Sequence, residues 1–162
     1  MKITKLQAAK NQLNIAVYLY FNDMDLVSVH TLAWAARNIV YDLWKKKRIR
    51  KHPLDIMKTG YRDSYEIIIR QAQNFFKHAG EYWDHKKKFD LSEHLTENLL
   101  YDAISRYYSL NKRLSNHMKI FNSYFYLKNF DKIENKKIKK IVEKHKSSTI
   151  PSKSDFYKGF TS

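Results

Sequence analysis

Arg70, Asn74 and His78 recur every four residues in the segment Ile69-Arg70-Gln71-Ala72-Gln73-Asn74-Phe75-Phe76-Lys77-His78. On a helix that spacing brings a cation, an amide and an imidazole into one line. An imidazole changes charge near neutral pH and can serve as a general acid or base. The helix dipole favours a protonated His78 near the helix end. A second polar line, His30, Trp34, Arg37 and Tyr41, lies on an earlier segment. If the two helices are neighbours, His30 or Arg37 can approach the Asn74–His78 pair. The competing reading is structural: a His and an Asn beside an apolar stripe often satisfy each other or a backbone carbonyl. His30, next to a core face, reads as structural, whereas His78 stands between the two readings. The seven His include no i,i+4 pair, and there is no Cys, no glycine-rich phosphate loop and no Gly-x-Ser-x-Gly elbow. No metal and no cofactor is therefore expected.

The elements that must hold these residues read as helices. Gly and Pro number only 3 and 2 in 162 residues, which argues against sandwiches, barrels and doubly wound sheets. Thr4-Lys5-Leu6-Gln7 reads as a capping box, followed by a helix to Phe21 with Leu6, Ala9, Leu13, Ala16, Val17 and Tyr20 inward. A polar turn at 22–25 leads to a second helix ending near Lys47. Pro53 breaks the chain, a short helical piece is expected over 54–58, and Asp63 caps a third helix that stops at Gly80. In that third helix Ile68, Ala72, Phe75, Phe76 and Ala79 are expected to face the core. A fourth helix runs from the cap at 90–93 to Leu110, and a fifth covers 115–130. Residues 131–145 read as a weakly amphipathic basic helix, and residues from Lys146 onward as a tail. The expected fold is all-α, an antiparallel bundle of four core helices plus one or two C-terminal helices. Its domain organisation is 1–130 for the bundle and 131–162 for a basic helix and flexible tail.

Charge bounds the partners. Lys and Arg number 31 against 16 Asp and Glu, a net charge of +15. The bases cluster at Lys45, Lys46, Lys47, Arg48, Arg50 and Lys51, at Lys86, Lys87 and Lys88, and between Lys132 and Lys146. Such patches attract polyanions through counterion release, and the aromatics Trp44, Tyr82, Trp83, Phe156 and Tyr157 close by can stack on unpaired bases. A solvated basic face and an anionic membrane surface are the alternatives. The longest apolar stretch, near Leu13–Phe21, is interrupted by Asn14 and is short of the roughly 20 residues of a membrane span. A soluble cytoplasmic protein is expected.

Gln73-Asn74-Phe75-Phe76-Lys77-His78, late in a helix of a small all-α bundle, resembles the motif of the HEPN superfamily (higher eukaryotes and prokaryotes nucleotide-binding). Lys-Ile-Thr-Lys-Leu at the start, His-Thr-Leu-Ala in the second helix and Asn-Phe-Phe-Lys-His-Ala in the third also resemble a group of small bacterial proteins. The superfamily's active members are metal-independent ribonucleases that join two Arg-His motifs in a dimer cleft. Asn74 and His78 match that motif, whereas Gln73 stands where the catalytic Arg belongs. The resemblance implies an RNA-binding protein, and a metal-independent endoribonuclease if Arg70 or Arg37 supplies the missing charge. His78 would then be the acid or base, Asn74 would orient it or the phosphate, and His30, Gln73 and Lys77 would stand behind them. It also implies RNA, a second copy of the chain and an antitoxin-like protein as partners, in a defence, toxin or RNA-processing setting. The alternative is a non-catalytic helical interaction module, dimeric through some of Tyr107, Tyr108, Tyr124, Phe125, Tyr126 and Phe130.

Overall fold

The computed structural model describes residues 1–48, 61–78, 86–144 and 149–161, with side chains at 61–64 excepted. Expectations placed on Arg50, Lys51, Pro53, the 54–58 piece, Ala79, Gly80, Tyr82 and Trp83 fall outside those residues. The described residues form seven α-helices and no β-strand, so the fold is all-α. α1 spans Lys5–Phe21, α2 Leu26–Lys46, α3 Tyr61–Lys77, α4 Glu93–Asn111, α5 Asn116–Lys128, α6 Lys136–Glu143 and α7 Lys153–Thr161, with a 3₁₀ turn at Phe130–Lys132.

Side-chain caps set most of the helix starts. The Thr4 hydroxyl accepts from the Gln7 amide at 3.2 Å while the Gln7 side chain accepts from the Thr4 amide at 2.9 Å, the reciprocal box the sequence predicts. Asp25 accepts from the Ser28 amide at 2.8 Å to start α2. Ser92, Ser115 and Asn135 cap α4, α5 and α6 in the same way. α4 ends on Lys112 in the left-handed conformation, at φ 58°.

α4 is the central element. Every residue from Leu95 to Ile104 is buried, because α2, α1, α5 and α3 pack around it. α1 and α2 form an antiparallel hairpin across the turn at 22–25, and α2 also runs along α4. Leu13, Val17, Phe21, Leu99, Leu100, Ile104, Phe121 and Phe125 fill the centre. Tyr101 stacks on Phe125 with ring centroids 4.3 Å apart.

Four expectations are corrected. α3 extends back at least to Tyr61, so Asp63 lies within it rather than at its cap. Its buried residue is Ile69, fully covered, rather than Ile68, which is 42% exposed; Tyr65, Ile69 and Ala72 make the inward line. Residues 153–161, expected in a tail, form α7, with Phe156 and Tyr157 buried against α1 and α5. Phe156 and Tyr157 are therefore not free to stack on bases. Finally, Tyr107, Tyr124 and Phe125 are buried in the chain's own core, Tyr126 and Phe130 are half-buried, and only Tyr108 of that proposed dimer face is exposed. Burial of aromatic surface within one chain is the stronger driving force here, since each ring hides some 150–250 Å².

Candidate functional site

α3 carries the line of residues that the sequence singles out. Arg70, Asn74, Lys77 and His78 are all exposed. The His78 amide donates to the Asn74 carbonyl at 3.1 Å, which keeps His78 in helical register just past the last turn. No hydrogen bond or ion pair among the described residues engages the side chains of Arg70, Asn74 or His78. The opposite edge of α3 turns inward, and there Gln73 is half-buried with its amide oxygen covered and without a hydrogen-bond partner.

Arg37 and His30 lie behind α3, not in that line. Arg37 is 5% exposed. Its Nε donates to Asp102 Oδ2 at 3.0 Å and its terminal nitrogen to Glu66 Oε1 at 2.5 Å. Arg106 donates from Nε to Asp102 Oδ1 at 2.7 Å and approaches Glu66 at 3.9 Å. Tyr65 adds a hydroxyl 3.3 Å from Asp102, and burial first and Asp102 second raise its pKa well above the usual phenol value. Tyr41 lies under both guanidiniums, at 4.8 Å from Arg37 and 5.0 Å from Arg106. Trp44 is 4.5 Å from Arg106. This group joins α2, α3 and α4 and holds the helix that bears the exposed line. The sequence does contain a signal for it, Asp102 and Arg106 four residues apart on α4, flanked by the apolar Leu99, Leu100, Ala103 and Ile104.

His30 is fully buried on α2. Its Nδ1 lies 3.1 Å from the Thr96 hydroxyl, and its ring meets the Phe76 ring edge-on at 5.8 Å. Burial pushes its pKa down to about 4, so it is neutral at physiological pH.

A second ion network ties the other end of the bundle. Glu97, 1% exposed, accepts from Lys128 at 2.5 Å and from the Tyr20 hydroxyl. Glu93 accepts from Lys128 at 3.3 Å and Lys153 at 3.4 Å, and Lys153 also pairs with Asp23. α7 is thereby locked to α1 and α4.

The basic residues of the sequence reading remain at the surface. Lys45, Lys46, Lys47 and Arg48 are exposed at the end of α2, and Lys86, Lys87 and Lys88 are exposed ahead of α4. Lys45 and Lys46 line a cleft of about 690 Å³ between the start of α1 and the end of α2. Among the described residues no helix is long and apolar enough to cross a membrane. No protein-family model matches the chain, and no curated protein or solved structure is significantly similar to it.

Proposed function

We propose that this chain is an RNA-binding, HEPN-like helical protein whose α3 flank carries a metal-independent ribonuclease centre. In this reading His78 moves the proton, Asn74 orients it or the phosphate, and Arg70 stabilises the charge that builds on the pentavalent phosphorus. The observation that supports it most is the exposed line of Arg70, Asn74 and His78, whose side chains no hydrogen bond or ion pair engages among the described residues. Arg37 is already neutralised by Asp102 and Glu66, so the cationic role falls to Arg70. Arg37 instead positions α3 through Glu66. Lys45–Arg48 and Lys86–Lys88 hold the RNA backbone.

Gln73 favours a second reading, a fold that binds RNA or a protein without cutting. Glutamine supplies no fixed charge where an active site of this type needs one, and its oxygen is turned into the protein. The deciding experiment incubates total bacterial RNA and tRNA with purified protein in EDTA, wild type beside His78→Ala. Cleavage that drops by about 100-fold or more in the variant is the expected result. No cleavage, or equal cleavage by both proteins, removes the catalytic centre and leaves the binding reading.

A further inference from the structure

The cleft between α1 and α2 has a composition that restricts what it can bind. Its floor is apolar, with Ile3, Ala8, Ile39 and Leu43. Three lysines, Lys5, Lys45 and Lys46, stand around it. The first turn of α1, capped by Thr4 and free of acidic residues, lies beside them. Asn38 and Asp42 line the same cleft from one face of α2, four residues apart. Asp42 shares the cleft with three ammonium groups, yet no ion pair engages it among the described residues. The volume, about 690 Å³, is within the usual range for a small-ligand site.

Each feature selects part of a ligand. The lysines and the α1 terminus favour an anion, and a phosphate meets that need. The aliphatic floor favours a flat apolar body. A carboxylate has two acceptor oxygens side by side and no donor, so Asp42 is best matched by two adjacent donors. Among the four RNA bases, guanine alone presents that pair, at N1–H and N2–H₂. Adenine and cytosine offer one donor beside an acceptor, and uracil offers one donor between two acceptors. The Asn38 amide, one turn away, can donate to guanine O6.

We infer that this cleft is a guanine-nucleotide site, filled by an unpaired guanosine of bound RNA or by a free guanine nucleotide. It deepens the RNA-binding reading and rests on it in the first case, since Lys45 and Lys46 serve both.

Calorimetric titration with GMP, AMP and CMP tests the site itself. Wild type is expected to bind GMP about tenfold more tightly than the others. Asp42→Asn is expected to erase that preference, and Lys45→Gln with Lys46→Gln to weaken all three alike. Equal affinities, no measurable binding, or a preference that survives Asp42→Asn would overturn the assignment. An oligouridylate and the same oligomer with one central guanosine separate the sources. Tighter binding of the guanosine oligomer assigns the cleft to RNA. Selective GMP binding with neither oligomer bound keeps the cleft for free nucleotide and ends the RNA-binding reading. Salt-sensitive binding of both oligomers without GMP selectivity ends the cleft assignment and leaves that reading standing.

Discussion

His30 is enclosed between Thr96 and Phe76, and burial alone holds its pKa at about 4 against the ordinary 6.5. The unfolded chain therefore takes up a proton as pH falls through 6.5, while the native chain stays neutral at this position until about pH 4. Stability from this group is constant above the unfolded value, declines across that window, and is level again below it. The interval corresponds to about 3 kcal/mol. His30→Gln keeps a hydrogen-bonding group near Thr96 and removes the titration. Urea unfolding of both proteins from pH 7 to pH 4 is expected to show a steeper loss for wild type, by about that amount; parallel profiles would contradict it. The two imidazoles differ in their surroundings. His30 is a buried neutral group facing the core, and His78 is the solvent-facing one. Sequence spacing already set His30 beside the core stripe of α2. It had no means of showing that Arg37, two turns further along the same line, would meet a carboxylate from each of two other helices.

Among the described residues the polar attachments of α3 converge on Glu66 and Tyr65. Glu66 is the only carboxylate α3 offers to Arg37 among the described residues, and it is about a third exposed. Glu66→Gln leaves Arg37 with Asp102 but removes the charge that draws α3 inward. The expected cost is about 1.5–3 kcal/mol. Hydrogen exchange should show where it is felt: amides of α3 lose protection first, while those of α1, α2 and α4 stay near wild type. Uniform loss across all four helices would mean that the clasp acts on the whole bundle. Most elements were legible from the chain. The capping box at Thr4 and the polar turn at 22–25 are local chemistry, so sequence reports them directly, whereas the signature at 90–93 marks the start of α4 without showing that Ser92 rather than Asp90 is its cap. The phase of α3 was not, because Ile67-Ile68-Ile69 offers three adjacent apolar residues. Which one turns inward depends on the register with Tyr65, Ala72 and α4. α7 was hidden for a related reason. Nine residues are too few for a helical period to stand out, and their helix is secured by stacking of Phe156 and Tyr157 on Phe21 of α1. That contact lies far away in sequence.

The net charge of +15 is carried almost wholly by groups outside the internal ion networks, which pair five carboxylates with four cations. Glu97 and Asp102 are buried, and Glu66, Glu93 and Asp23 are spent on Arg37, Lys128 and Lys153. Carboxylates drawn into these networks cannot screen the lysines outside, so the end of α2 presents Lys45, Lys46, Lys47 and Arg48 as a cationic block. The sequence showed this cluster. It did not show that an apolar-floored cleft opens beside it, because Ile3 and Leu43 meet only once α1 and α2 have packed. If the block grips an RNA backbone, binding must release counterions, and the logarithm of the affinity must fall linearly with the logarithm of salt concentration. Replacing Lys45, Lys46, Lys47 and Arg48 with Gln removes up to four contacts. For single-stranded RNA the slope should become shallower by up to about 3. All four side chains are exposed, so the variant's unfolding midpoint should stay within error of wild type. Oligouridylate affinities measured across a salt series, with the midpoint as control, give the answer. A shallower slope at unchanged stability places the RNA backbone at the end of α2. An unchanged slope moves the backbone contact away from the end of α2 and leaves the nucleotide cleft to the GMP titration.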